Sequence, residues 1–138
     1  VSCPITIGRG IGNCPFHKDC LEGLASGPAI MNRWGQDPED LPPDHPAWIL
    51  EAHYLALALS TWVCTLSPQR IVLGGGVMQR QSLFPMIQQR LKDLLGGYIP
   101  KRLLIEDVDK YVVPPALKGS SGVLGAILLG EQAYLTTR

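Results

Sequence analysis

The residues best suited to chemistry are two cysteines and a histidine within one short segment. Cys14, His17 and Cys20 follow one another at intervals of three residues, so a single tight loop can direct two thiolates and one imidazole at the same ion. Zinc prefers sulfur and nitrogen ligands in a tetrahedral arrangement. Segment 14–20 therefore predicts a zinc loop. The alternative is a pair of unrelated cysteines beside a surface histidine.

Three ligands leave one zinc position open, for a fourth residue from elsewhere or for water at a catalytic site. Cys3 is a candidate, although the alternating glycines at 8, 10 and 12 leave its placement undetermined. The four cysteines could form two disulfides in a secreted protein. Because the first residues show no basic region followed by an apolar stretch, we expect a cytoplasmic protein and favour metal binding.

A second chemical signal is the run Gly74, Gly75 and Gly76 after the apolar segment 70–73. Consecutive glycines remove side chains, so a flat ligand or a phosphate can approach the backbone. A glycine turn between a strand and a helix is equally common for structural reasons. The run also differs from a P-loop, which ends in Lys-Ser/Thr, and from the dinucleotide-binding spacing.

Two further segments place serine beside small residues where helices are expected to begin. Ser26, Gly27 and Pro28 form the first, and Gly-Ser-Ser-Gly at 119–122 precedes the last apolar stretch. A serine in such a position can cap the helix while free N–H groups face an anion. The alternatives are an ordinary cap and close helix packing.

The other titratable side chains are given structural interpretations. We expect His53 to be a hydrogen-bonded core histidine, Cys64 a small core residue, and His45 a solvated side chain in a proline-rich loop. The acidic cluster at 106–109 is expected to be a solvated turn and not a metal site.

The spacing of apolar residues predicts the elements that position these groups. Residues 21–34 favour a helix interrupted at Gly27-Pro28, and residues 47–66 favour a long helix capped by Asp44. The other expected elements are a strand at 70–73, a helix at 83–95, one or two strands within 103–113, and a helix at 123–134. Helices that alternate with short strands indicate a layered, helix-rich α/β domain.

The composition limits the class of protein. The chain has 138 residues, 46% of them hydrophobic and 17% charged, with 12 basic and 12 acidic side chains. This suits one ordered domain with a core and argues against nucleic-acid binding, which normally needs a basic excess. The stretch 48–66 is long enough to cross a bilayer, but it contains Glu51, His53, Ser60 and Thr61. We therefore expect a core helix and no membrane partner.

Taken together, these segments resemble bacterial ROK-class fructokinases. The stretch from Cys14 to Ile30 resembles the zinc loop of that family, and the stretch from Ser67 to Met78 resembles its nucleotide-side strand and turn. Phe84-Pro85 and Gly-Val-Leu-Gly-Ala at 122–126 also fit. The resemblance runs in order from about Asn13 to the C-terminus.

The resemblance implies an actin-like, hexokinase-like (ribonuclease H-like) two-lobe fold. Residues 1–13 would be an irregular segment, and residues 14–138 would form most of the C-terminal lobe. The family transfers the γ-phosphoryl group of ATP to the 6-hydroxyl of fructose with magnesium. The zinc would be structural, held by Cys14, His17, Cys20 and one upstream histidine. The implied nucleotide side comprises Ser26, Gly27, Pro28, Gly74, Gly75, Gly76, Val77 and Met78.

The resemblance also implies that the catalytic machinery lies elsewhere. The family's catalytic aspartate, its first phosphate-binding turn and most sugar contacts belong to the N-terminal lobe, so we expect no catalytic residue on this chain. It would be part of a kinase that is active when completed, as a homodimer or with a partner lobe. The alternative is an inactive module that binds zinc or nucleotide or dimerises. ROK repressors favour that alternative but require a DNA-binding segment, which this sequence does not show.

Overall fold

The computed structural model describes residues 12–100, 102–117 and 120–136. Its elements are helices α1 (Leu21–Leu24), α2 (Gly27–Trp34) and α3 (Pro46–Leu66), strand β1 (Ile71–Val72), a 3₁₀ turn (Val77–Gln79), helices α4 (Leu83–Leu95), α5 (Arg102–Ile105) and α6 (Val108–Tyr111), strand β2 (Val112–Val113) and helix α7 (Ser121–Thr136). Cys3, most of the predicted irregular segment and Gly119 in the predicted serine cap lie outside the described residues.

The predicted interruption near Gly27-Pro28 separates α1 from α2. The Ser26 hydroxyl accepts a hydrogen bond from the Ala29 N–H at 3.3 Å and so caps α2. Pro28 lies in the first turn, where the missing N–H would have no helical partner. Gly35, at φ 69°, ends α2 in the left-handed conformation that glycine adopts readily.

Helix α3 begins one residue earlier than predicted, and this changes its cap. The Nδ1 atom of His45 accepts a hydrogen bond from the Ala47 N–H at 3.2 Å. The prediction that Asp44 caps the helix is therefore wrong, because His45 directly precedes the first helical residue, Pro46. His45 is also half-buried, with its ring edge-on to Trp34 at 4.7 Å between centroids, and so it is not the solvated side chain expected.

The core lies mainly between α3 and α4. Helix α4 buries Leu83, Ile87 and Leu91 completely, and their four-residue spacing places them on one face, as the sequence predicted. Helix α3 faces them with Ala56 and Leu59, among other residues, which are also inaccessible to solvent. Burial of these apolar side chains is the main stabilising contribution in this part of the fold.

The C-terminal half of α3 is buried along one stripe only. Leu59 and Val63 are almost inaccessible, whereas Trp62 is 43% exposed and Cys64 is exposed. The prediction that Cys64 is a core residue is wrong, because Cys64 lies about 100° around the helix from Val63. Helix α3 is long and apolar enough to cross a membrane by length and composition alone, but its N-terminal half packs into the core.

The two strands form a short parallel sheet. Ile71 pairs with Val112 and Val72 with Val113. This agrees with the predicted strand at 70–73 and with a strand at the end of 103–113, but the rest of that segment is helical. Ion pairs at 2.8 Å between Arg102 and Glu106, and between Lys110 and Asp107, span single helical turns there. The acidic cluster is mostly exposed, as expected.

Helix α7 contains the predicted helix at 123–134 and is apolar, yet it is exposed along its length. Val123, Ile127, Leu128 and Leu135 each expose more than half of their surface. The described part of the chain is a helix-rich α/β arrangement with a small parallel sheet, consistent with the predicted fold class.

Candidate metal loop and nucleotide cavity

The structure brings the three predicted metal ligands together. One donor atom from each of Cys14, His17 and Cys20 lies within 4.8 Å of the other two. The Cys14 Sγ atom is 3.9 Å from the His17 Nδ1 atom. Tetrahedral zinc bonds of about 2.3 Å to sulfur and about 2.0 Å to nitrogen place such atoms about 3.6 Å apart. The Cys14–His17 pair is therefore close to the spacing that a zinc ion requires, and the third donor lies near enough to join them.

The thiols of the loop are available as ligands. Cys14 and Cys20 are free cysteines, and no disulfide joins them. Hydrogen bonds from the backbone N–H groups of His17 and Phe16 lower the pKa of the Cys14 thiol to about 7. A thiol with such a pKa is partly ionised at neutral pH, and the thiolate is the form that binds metals.

Two glycines allow the loop to close. Lys18 has a left-handed backbone at φ 55°, and its carbonyl oxygen faces inward. A Cβ atom on Gly12 would lie 1.7 Å from that oxygen, and one on Gly23 would lie 1.9 Å from it. No other residue fits at either position. The Asn13 N–H also donates to the Gly23 carbonyl at 2.8 Å and joins the two sides of the loop.

The metal loop is connected through α1 to one wall of a large cavity. Cys20 directly precedes α1, and α1 packs against α3. Two residues after α1, Ser26 caps α2 at the edge of a cavity of about 640 Å³. Fixing the loop therefore also fixes one wall of the cavity.

The cavity unites the two segments that the sequence assigned to the nucleotide side. The first segment contributes Ser26, Gly27 and Pro28, and the second contributes the 3₁₀ turn and the glycines before it. The predicted residues that line the cavity are Ser26, Gly27, Pro28, Gly74, Gly75, Gly76, Val77 and Met78. A cavity of this volume suits a ligand of the size of a nucleotide.

The glycine turn has different requirements at its three positions. Gly75 has φ 107°, a backbone conformation that residues other than glycine rarely adopt. A Cβ atom on Gly74 would lie 2.9 Å from the Pro115 ring, whereas one on Gly76 would meet no atom within 4 Å. The turn is exposed on its outer side, so a ligand can reach the backbone without displacing a side chain.

Among the cavity-lining residues that the sequence analysis did not assign to the cavity, Glu51 stands out by its chemistry. This side chain of α3 lines the cavity, is only 1% exposed, and neither carboxylate oxygen has a hydrogen-bond partner among the described residues. Burial raises the pKa of Glu51 to about 7, and the Arg33 charge opposes this rise. An acidic residue within an apolar helical stretch was the available signal, but we used it only to argue against a membrane span.

His53 is confirmed as a hydrogen-bonded core histidine. Its Nδ1 atom accepts a hydrogen bond from the Arg90 Nε–H at 2.9 Å. Burial lowers the pKa of His53, and the Arg90 charge lowers it further. A neutral His53 therefore links α3 to α4.

Comparison with known proteins supports the predicted family. The sequence pattern of the ROK family matches residues 5–133. The chain belongs to the ROK family. It is 43% identical over 122 residues to a Bacillus subtilis protein, 40% identical over 121 residues to a fructokinase of Pediococcus pentosaceus, and 40% identical over 124 residues to a fructokinase of Lactococcus lactis. These matches cover 88–89% of this chain.

The chain is shorter than these relatives and spans 41–42% of their length. The helix-rich α/β architecture agrees with the actin-like, hexokinase-like fold that the family implies.

Proposed function

We propose that the chain is the C-terminal part of an ATP-dependent sugar kinase that phosphorylates the 6-hydroxyl of D-fructose. The observation that carries the proposal is the convergence of segments 26–28 and 74–78 on one cavity, in a chain whose relatives include fructokinases. Residues 14–138 would form most of the C-terminal lobe. The aspartate that accepts the sugar proton would lie in the part of the kinase that the chain does not cover.

In this proposal the cavity binds the nucleotide of ATP with magnesium. The apolar side chains of Val77 and Met78 would contact the adenosine. The exposed glycine turn would leave the phosphate side accessible to magnesium and to the other lobe. Phosphoryl transfer depends mainly on positioning and on neutralising charge, so the role of this chain would be to hold the nucleotide in place.

The metal loop has a structural role in this proposal. Zinc would be bound by Cys14, His17 and Cys20, with a fourth ligand from another part of the kinase. The last of the three ligands, Cys20, directly precedes α1, so a bound ion would fix the start of α1 and thus the wall at Ser26. The bound ion would contribute folding free energy to this wall.

The exposed apolar side of α7 favours association with another protein surface. Side chains such as Ile127 and Leu128 are more than half exposed, and large apolar surfaces of this kind are typical of interaction sites. We propose a partner lobe or a second copy of the chain as the partner, in the cytoplasm, without nucleic acid or membrane. An inactive module that binds zinc and nucleotide is the second candidate, and the same surface supports it.

Isothermal titration calorimetry with ATP–Mg²⁺ tests the nucleotide claim. Gly76→Gln adds a side chain at a residue that lines the cavity, at a position with φ −57° and no atom within 4 Å of the added Cβ. Gly130→Gln makes the same change on α7, where the Cβ also has open space. We expect wild type and Gly130→Gln to bind similarly and Gly76→Gln to bind several-fold more weakly. No heat with wild type at millimolar ATP–Mg²⁺ would contradict the claim.

A further inference from the structure

Glu51 provides an unpaired polar group at the most buried side of the cavity. Its carboxyl lines the cavity, yet the side chain is 1% exposed and both oxygens lack a hydrogen-bond partner among the described residues. Burial of a polar group without a partner is destabilising. A ligand that supplies the missing hydrogen bonds would offset this destabilisation.

The charged groups around Glu51 do not pair with it. Arg33, from α2, donates to the Leu24 carbonyl at 3.1 Å and lies 5.5 Å from the Tyr54 ring centroid, so its charge acts on Glu51 only from a distance. Asp37 and Glu39, from the loop after α2, also line the cavity. Burial favours the neutral form of the Glu51 carboxyl, and the distant Arg33 charge opposes it.

A neutral carboxyl has one hydrogen-bond donor and one acceptor side by side. The pairing edge of adenine offers the complementary pattern, because N1 accepts a hydrogen bond and the N6 amine donates one. The corresponding edge of guanine has two adjacent donors, which suit an ionised carboxylate instead.

We propose that Glu51 recognises the base of the nucleotide, by donating a hydrogen bond to N1 of adenine and accepting one from its N6 amine. This inference rests on the proposed function, which places an adenine nucleotide in the cavity. Leu55, one helical turn after Glu51, and Met78 provide apolar surface for the ring. The base would then occupy the buried side, and the phosphates would face the exposed glycine turn at Gly75 and Gly76.

The raised pKa of Glu51 is consistent with this assignment. Burial holds it at about 7, so most of the carboxyl is neutral at pH 6. Raising the pH above 7 ionises the carboxyl and removes the donor to N1. The preference of the cavity for adenine over guanine should therefore weaken between pH 6 and pH 8.

The test compares ATP–Mg²⁺ with purine riboside 5′-triphosphate–Mg²⁺, which lacks only the N6 amine, by calorimetry on the full chain at pH 6. We expect wild type to bind ATP about 5-fold more tightly, as the loss of one hydrogen bond predicts. Glu51→Gln keeps a donor and an acceptor and should retain this ratio. Glu51→Leu keeps neither and should bring the ratio close to one.

The ratio of the dissociation constants of the two nucleotides separates base recognition by Glu51 from a purely structural role of this residue. A structural role would change the binding of both nucleotides equally and leave the ratio unaltered. If wild type binds both equally well, base recognition by Glu51 is refuted and the nucleotide claim stands. If wild type binds neither, the nucleotide claim itself fails, and this inference fails with it. Should Glu51→Leu fail to fold, the preference for ATP–Mg²⁺ over GTP–Mg²⁺ decides the result: it should weaken between pH 6 and pH 8 in wild type and stay constant in Glu51→Gln, which cannot ionise, and an equal change in both proteins would overturn the proposal.

Discussion

Glu51 gives a direct prediction for the stability of the ligand-free chain. The pKa is about 7 in the folded chain against an ordinary value of 4.5. Because the folded state holds the proton more tightly, stability is greatest below pH 4.5 and falls as the pH rises to 7. The difference in pKa corresponds to about 3 kcal/mol of destabilisation that is complete above pH 7. Glu51→Gln removes the ionisable group and with it this loss.

The assay is urea unfolding of wild type and Glu51→Gln at pH 5 and pH 8. We expect the free energy of unfolding of the variant to exceed that of wild type by about 2.5 kcal/mol more at pH 8 than at pH 5, on the order of 10 °C in Tm. Glu39→Gln makes the same change at an exposed position of the cavity rim and should give similar differences at both pH values. An advantage of Glu51→Gln that is equal at pH 5 and pH 8 would refute the reasoning.

Three other predictions concern the metal loop and the core. Cys14→Ala should lower Tm in zinc-containing buffer and abolish the further drop caused by a chelator, whereas Cys64→Ala, at an exposed cysteine, should change neither. Gly23→Ala should destabilise the chain, because the added Cβ meets the Lys18 carbonyl at 1.9 Å; circular dichroism melting would show no change if the loop can relax. Ile87→Ala should lower the free energy of unfolding in urea by about 2–5 kcal/mol, and a loss below about 1 kcal/mol would mean that the core is not packed as described.

The sequence predicts the metal loop well because all three donors lie within seven residues. Local spacing limits the distance between Cys14 and Cys20 whatever the remaining fold is. Closure of the loop, however, depends on contact between the Lys18 carbonyl and the glycines at 12 and 23. This contact follows from backbone torsions, which the sequence pattern does not specify.

The cavity is harder to predict because it depends on distant segments. Ser26 and Gly74 are almost fifty residues apart, and only the family resemblance assigned both to the nucleotide side. The role of Glu51 depends on which face of α3 is covered by other elements. The same uncertainty explains the error at Cys64, because the described residues cover α3 on one side only in its second half.

The prediction of one or two strands within 103–113 is correct only for β2, because the rest of the segment forms the short helices α5 and α6. The apolar residues there are compatible with short strands or with single helical turns, and periodicity does not separate these at such lengths. Local ion pairs such as Arg102–Glu106 favour the helical turns. Tyr111 then packs in the core, with its hydroxyl donating to the Pro68 carbonyl at 2.8 Å, and places β2 beside β1.

The most direct test of the central claim is a chimeric kinase. The segment of the Pediococcus pentosaceus fructokinase that aligns with this chain, 40% identical over 121 residues, would be replaced by the corresponding residues of the chain. Fructose phosphorylation by ATP would then be measured in a coupled assay, with glucose and mannose for comparison. We predict a folded chimera that phosphorylates fructose and loses activity on Gly76→Gln. A soluble, folded chimera without kinase activity would contradict the account.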